Sequence, residues 1–488
     1  PSAPDPSSAA RQYLRALAAG DLQAASALTD SPAAAFDVLA DGWEALRPTT
    51  VRATLGGIGP GNSPSATYMA TWTFRPGHVW SYPGRFELVR IGRNWRVHWT
   101  PAALYPTLRA GQRLALVTRA ADHPAVVDRD GKPLVIAGAG GIRLADKDFA
   151  LLGSALVGRV PATSSRTFAI ERVDAEGHDL ETLFGTATGA TKPVRSTLSV
   201  AVQSAAQSVV DAYGGDAVIV AVRPSDGGLV AAARNARSGS SPFSGLYAPG
   251  STFKIVTATA ALEAGIATED TALACPPVET FGTRTIRNDG FGLGTVTMHR
   301  AFARSCNTTF GQLASRLPED GLSDAASQFG LNADFDIPGL DTQTGKVVPA
   351  AGPVEQVEDG IGQGTVQVSP FGEALMAATV AAGHAVTPRL WRDAATGVAT
   401  GYTAPPAEVL ASLRPMMREV VTSGTATGLA HSGLVYGKTG TAQFGTGEHA
   451  NGWFVGYRGD LAFAVLLAGA NSSAPAVTLA ERFLAKVN

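Results

Sequence analysis

Tyr247-Ala248-Pro249-Gly250-Ser251-Thr252-Phe253-Lys254, running on into Ile255-Val256-Thr257-Ala258, is the stretch from which the rest of the chain is read. Pro249-Gly250 is a turn signal and the residues after it have helix-forming composition, so Ser251 stands where a helix begins. Three residues along a helix bring Lys254 onto the same face as Ser251. A serine at that point lies among free backbone N–H groups, at the positive end of the helix dipole. An amine beside it can take its proton. Nucleophile, base and part of an anion hole then fall within one turn. Helices often begin with Ser and contain Lys, so companions elsewhere must decide the reading.

Two companions are present. In Arg304-Ser305-Cys306-Asn307-Thr308, a hydroxyl and an amide two residues apart can point the same way and offer both donor and acceptor. The plainer reading is a helix cap, since Ser305 and Asn307 are ordinary capping residues ahead of Phe310 and Leu313. In Gly437-Lys438-Thr439-Gly440-Thr441-Ala442, a strand presents a cation and hydroxyls able to clamp a carboxylate, and Gly440 leaves room for another backbone. A phosphate loop requires Gly-x-x-x-x-Gly-Lys-Ser/Thr. Leu434-Val435-Tyr436 stands before Gly437 instead, so the nucleotide reading fails.

The flanks supply the organisation. At 488 residues the chain exceeds one core, and two or three domains are expected. Hydrophobic content of 45% against 16% charged is globular, and a net charge of -2 argues against nucleic-acid binding. Ser7 to Asp30 reads as a helical hairpin broken at Gly20-Asp21, and Val51 to Trp99 as a strand meander. Ala125 to Leu134 reads as strand, turn, strand, with Asp128 and Arg129 as turn and surface residues. Thr182 to Lys192, rich in Thr and Gly, reads as a linker. Val200 to Tyr213 is helical, and Ala217–Val222 meets Leu229–Ala233 as a hairpin. Mainly helical and loop-rich sequence follows to about Thr425. Strands return at Leu434–Ala442, Gly452–Tyr457 and Leu461–Leu467, before a helix from about Ala476. The outcome is an antiparallel sheet flanked by helices with a helical insertion. Cys275 and Cys306 are too few for a disulfide framework, and their pairing stays open. The start at Pro1, without Met, suggests a mature or trimmed form lacking its targeting segment.

Ser-x-x-Lys, Ser-x-Asn and Lys-Thr-Gly in this order resemble the signature of penicillin-binding proteins and class A β-lactamases. Residues 196–488 resemble the transpeptidase domain of a class B penicillin-binding protein. Gly360-Ile361-Gly362-Gln363-Gly364 and Gly452-Trp453-Phe454-Val455-Gly456-Tyr457 are supporting phrases. Residues 1–106 resemble an NTF2-like cone, read as a spacer more than a binding site. Asp128-Arg129-Asp130-Gly131 resembles the family's non-catalytic linker module, which implies a small β-rich linker domain over residues 107–195. The whole is similar to actinobacterial penicillin-binding lipoproteins and low-affinity resistance transpeptidases: a multidomain α+β and α/β chain.

The resemblance implies a D,D-transpeptidase with no cofactor or metal. A peptidoglycan stem ending in D-Ala-D-Ala is expected to add along the Lys438 strand, its carboxylate meeting Lys438, Thr439, Gly440 and Thr441. Ser251 is the nucleophile and Lys254 the base, made neutral by burial and by Lys438. Ser305 relays a proton to the leaving amine, Asn307 orients Lys254 and the substrate, and the N–H groups of Ser251 and Thr441 form the oxyanion hole. β-Lactams are expected to trap Ser251. Glycosyltransferase, divisome or elongation partners are expected, on the outer face of the cell membrane, with a lipid or transmembrane anchor outside this chain. Two rivals are a β-lactamase or D,D-carboxypeptidase, and a non-catalytic β-lactam sensor or divisome scaffold. Cys306 stands where the signature has Asp, and Glu279, Glu355 and Glu358 are the acids to inspect as bases for hydrolysis. His431 and His449 are given no role.

Overall fold

Asp5 and Asp21 each turn a carboxylate oxygen onto a helix start, which sets α1 (Pro6–Ala19) and α2 (Leu22–Ala27) either side of a left-handed Gly20. The computed structural model describes residues 5–75, 77–161, 166–188, 192–444 and 449–487. They fall into two compact units, the first holding Pro1–His123, Ala137–Gly141 and Ala162–Thr191. The stretch 107–195 contributes to both units.

In the first unit, α3 (Pro32–Leu46) follows the helical pair. The strands β1 (Thr50–Ile58), β2 (Ser65–Phe74), β3 (His78–Ile91) and β4 (Asn94–His98) then form an antiparallel meander in chain order. Alternation along β2 and β3 buries Tyr68, Trp72, Trp80, Tyr82 and Phe86 on one face. The Tyr68 ring fills the space over Gly84, where a Cβ would come within 2.1 Å of it. A second sheet joins β5 (Arg113–Ala120), β6 (Arg166–Val173) and β7 (Asp179–Thr188) in the order β7-β6-β5. The segment read as a linker, Thr182 to Lys192, is therefore strand as far as Thr188, and residues 189–191 lie outside the described residues. Threonine is β-branched and strand-forming, and pairing with β6 decides what a local linker signal cannot.

In the second unit, α4 (Val200–Asp211) precedes the hairpin of β8 (Asp216–Val222) and β9 (Leu229–Arg234). The last three strands are β10 (Val435–Phe444), β11 (His449–Arg458) and β12 (Leu461–Ala468), and the sheet order is β9-β8-β12-β11-β10. All pairings in it are antiparallel. Ala217–Val222 and Ala462–Leu467 are wholly buried, because helices cover both sheet faces. Pairing of β8 with β12 knits the ends of the domain together and leaves β10 as an edge strand. Between β9 and β10 lie α5 (Lys254–Glu263), α6 (Met298–Ala303), α7 (Asn307–Ala314), α8 (Pro370–Ala382) and α9 (Ala407–Thr422). That stretch also holds short hairpins the sequence reading omitted, including Val278–Phe281 with Arg284–Arg287. The chain closes in α10 (Ala474–Lys486). Among the described residues no helix is long and apolar enough to cross a membrane.

Candidate active site

Ser251 sits in a 3-10 turn, Gly250–Phe253, that runs straight into α5. The turn is wedged between two neighbours. Gly250, at φ +56°, passes so close to β10 that a Cβ would lie 2.5 Å from the Thr441 carbonyl oxygen, and its N–H donates to Gly362 O at 2.8 Å. Gly440 returns the favour on the strand side, where a Cβ would lie 2.6 Å from Pro249 O. The backbone for which Gly440 leaves room is thus the nucleophile turn itself.

Lys254 is fully buried, and its Nζ lies 3.0 Å from Ser251 Oγ, 2.6 Å from Asn307 Oδ1, 2.9 Å from Ser305 O and 3.3 Å from Ser305 Oγ. Burial first, and the Lys438 charge second, hold its pKa well below 10.5. A neutral amine here has a lone pair for the Ser251 proton and two N–H groups for Asn307 Oδ1 and Ser305 O. Lys438 is equally buried and donates to Ser305 Oγ at 2.9 Å and Thr439 O at 3.0 Å, and burial pulls its pKa down to about 7. The ring centroids of Phe310 and Phe302 lie 5.6 Å from the Nζ atoms of Lys254 and Lys438 respectively.

Ser305 and Asn307 are not caps. The cap position of α7 is Cys306, which makes no side-chain capping bond. Ser305 has φ +60°, a strained left-handed conformation for a residue with a side chain, and it places Oγ between the two amines. Such strain is typically about 1–3 kcal/mol and needs a surrounding frame. Asn288 supplies one, its Oδ1 accepting from the N–H groups of Asn307 at 2.7 Å and Thr308 at 3.2 Å. Asn307 Nδ2 donates to Arg287 O at 2.8 Å, which leaves its Oδ1 for Lys254. A disulfide between Cys306 and Cys275 ties the same segment to the strand Ala272–Cys275.

Structure thus brings Ser251, Lys254, Ser305, Asn307 and Lys438 into one hydrogen-bonded cluster. Thr439 is buried with its hydroxyl 2.6 Å from that of Thr425, while Thr441 is exposed beside Gly250. The three glutamates singled out as possible bases have partners elsewhere. Glu279 accepts from Gln312 at 2.6 Å, Glu355 from the Ala351 N–H at 3.2 Å, and Glu358 pairs with Arg284. His449 stacks on Phe444 and His431 is exposed. The sequence reading missed Asn288, Thr425 and Glu373, a buried acid that meets Thr252, and named Gly362 only within a supporting phrase. Only Glu373 left a signal: one carboxylate inside an otherwise apolar helical run, Phe371 to Ala378.

Comparison with known proteins places the chain among related sequences and folds. The penicillin binding protein transpeptidase domain matches residues 217–487, and the NTF2-like N-terminal transpeptidase domain matches residues 5–112. The chain is 31% identical over 230 residues to peptidoglycan D,D-transpeptidase PbpA of Mycobacterium tuberculosis, an alignment covering 43% of this chain and 47% of that one. It thus spans about half the length of the curated relatives it matches. The structure of penicillin-binding protein A from M. tuberculosis as an imipenem acyl-enzyme complex superposes with a TM-score of 0.53 at 26% identity, over 60% of this chain and 79% of that one. A D,D-transpeptidase domain from Eggerthella lenta superposes at 0.58 over 75% and 98% of the two chains, a likeness of fold at 23% identity.

Proposed function

The chain belongs to the penicillin-binding protein transpeptidase family, and on that premise we propose that it cross-links peptidoglycan stem peptides through a serine acyl-enzyme. The observation that carries the reading is the buried Lys254 amine, its pKa held well below 10.5 by that burial, 3.0 Å from Ser251 Oγ. A donor stem ending in D-Ala-D-Ala adds as a strand to the free edge of β10, its carboxylate drawn to Lys438 and the hydroxyls of Thr439 and Thr441. Gly440 contributes by letting the turn and the strand close on one another.

Ser251 Oγ attacks the penultimate carbonyl as Lys254 takes its proton. The oxyanion forms between the N–H groups of Ser251 and Thr441, each such donor typically contributing about 2.7–4 kcal/mol. Collapse breaks the peptide bond, and the proton passes from Lys254 through Ser305 to the departing D-alanine amine; the 3.3 Å and 2.9 Å spacings around Ser305 Oγ support that route. Asn307 fixes Lys254 throughout. An amine from a second stem then attacks the ester and restores Ser251. A β-lactam, entering as a D-Ala-D-Ala mimic, stops at the ester. With Glu279, Glu355 and Glu358 engaged elsewhere, amine transfer is favoured over hydrolysis.

We extend the reading to the whole chain: an NTF2-like spacer over residues 1–106, a linker region over 107–195 and the transpeptidase domain over 196–488. It works on the outer face of the cell membrane, through an anchor outside this chain and beside glycosyltransferase, division or elongation partners. The Cys275–Cys306 disulfide suits an oxidising compartment. The test is incubation with a D-Ala-D-Ala pentapeptide donor and an amine acceptor. Acceptor-linked product that requires Ser251 supports transfer; D-alanine release without any linked product would make the protein a carboxypeptidase.

A further inference from the structure

Helix α8 passes beneath the nucleophile turn and brings one acid to it. Glu373 has no exposed surface, and its Oε1 lies 2.6 Å from Thr252 Oγ1. Thr252, also fully buried, follows Ser251 directly, and its Oγ1 lies 3.0 Å from Pro249 O as well. A hydroxyl has one proton to give. Both contacts are hydrogen bonds only if one neighbour donates to Thr252. The Pro249 carbonyl cannot donate, whereas a protonated carboxyl can. We propose that Glu373 is a positioning residue that works as a neutral acid, donating to Thr252, which donates to Pro249 O and so holds the Ser251 turn in place. The proposal rests on the transpeptidase reading of that turn.

Burial raises the Glu373 carboxyl to about 8, so the acid form prevails at neutral pH. No charge on the packed elements opposes this. The β12 strand facing α8 is apolar throughout, from Leu461 to Ala468. Among the titratable groups of β8 and β11, Asp216 accepts from Ser240, His449 stacks on Phe444, Tyr457 stacks on Tyr436, and Arg458 donates to Leu484 O. On the turn side Lys254 directs its amine at Ser305 and Asn307. When Glu373 loses its proton to solvent, Thr252 must turn its hydrogen to the carboxylate and release Pro249. A negative charge then stands under the place where an oxyanion has to form.

The experiment is second-order acylation by a penicillin, followed by intact mass across pH, for wild type, Glu373→Gln, Glu373→Leu and Thr252→Val. Gln keeps a donor for Thr252 and cannot ionise. Glu373→Gln is expected to retain the neutral-pH rate and to fall less steeply around pH 8, where wild type, its Lys438 already deprotonating above about 7, also loses the Glu373 proton. Glu373→Leu and Thr252→Val are expected to be about tenfold slower at neutral pH, the loss of one hydrogen bond in the relay. Infrared difference spectra of wild type minus Glu373→Gln at neutral pH should show a protonated-carboxyl C=O band, a readout that stands even where Glu373→Leu fails to fold. Profiles of Gln and Leu variants superimposable on wild type, or no such band, would overturn the role of Glu373 and leave the transpeptidase reading intact. A wild type that penicillin never acylates would overturn both.

Discussion

In the N-terminal unit two buried phenols reach nearby carbonyls, Tyr68 to Ala103 at 2.8 Å and Tyr82 to Leu104 at 2.6 Å. Under Ser251 the buried polar atoms are two amines and a carboxyl, each holding a pKa displaced toward its neutral form. Phenols are neutral at any physiological pH, so this pair is buried with no ionisation to suppress. The cluster under Ser251 suppresses three. Burial of unpaired ionisable groups opposes folding and is kept where a displaced pKa does chemistry. Substitutions should therefore separate the two: in one, stability falls and the rate holds, and in the other the reverse.

Lys254→Met should show the separation most sharply, with acylation slower by about 10²–10⁴-fold and melting temperature unchanged or raised. A large fall in melting temperature would make Lys254 structural and erase the contrast. The wild-type rate should rise with pH as Lys254 loses its proton, in a window below its ordinary 10.5, and fall above about 7 as free Lys438 loses the charge that draws a carboxylate. A rate that climbs steadily to alkaline pH would contradict that assignment.

Opening the Cys275–Cys306 loop, whose ends are 31 residues apart, by a double Ser substitution should lower stability by about 3–4 kcal/mol in urea unfolding. Asn307→Ala, which removes a partner of Lys254, should slow acylation by about 10–100-fold with little change in unfolding midpoint. In the first unit Tyr68→Phe should cost about 1–3 kcal/mol, because the Ala103 carbonyl loses its side-chain donor while Leu104 O keeps Tyr82, and should leave the acylation rate alone. The smallest effect concerns Glu373. Folded protein keeps its carboxyl proton up to about 8 while the unfolded chain releases it near 4.5, so the stabilisation from the neutral acid is full below 4.5 and lost as pH rises through 8. Unfolding of wild type relative to Glu373→Gln should show that slope.

Three short motifs were legible because each couples a residue type to a local geometry: Ser before Lys on a helix start, Ser and Asn two apart, Lys and Thr on a strand. The sheet was legible too, since Ala217–Val222 and Leu461–Leu467 are apolar runs bounded by turns. What stayed hidden depends on contacts across long separations. Asn288 looks like any turn residue in Arg287-Asn288-Asp289-Gly290, yet it organises Asn307 and Thr308. Gly362 reads as loop until its carbonyl is seen to receive the Gly250 N–H. The pairing of Thr182–Thr188 with β6 is likewise a tertiary choice overriding a local linker signal.

The central claim is that Ser251 is acylated because Lys254 stands beside it uncharged. Digestion of the protein after reaction with a penicillin, with the adduct located by peptide mass, tests that claim most directly. The adduct is predicted on the peptide carrying Ser251, absent from Ser251→Ala and formed at the strongly reduced rate in Lys254→Met. An adduct on any other residue, or one formed at the wild-type rate without the Lys254 amine, would contradict it.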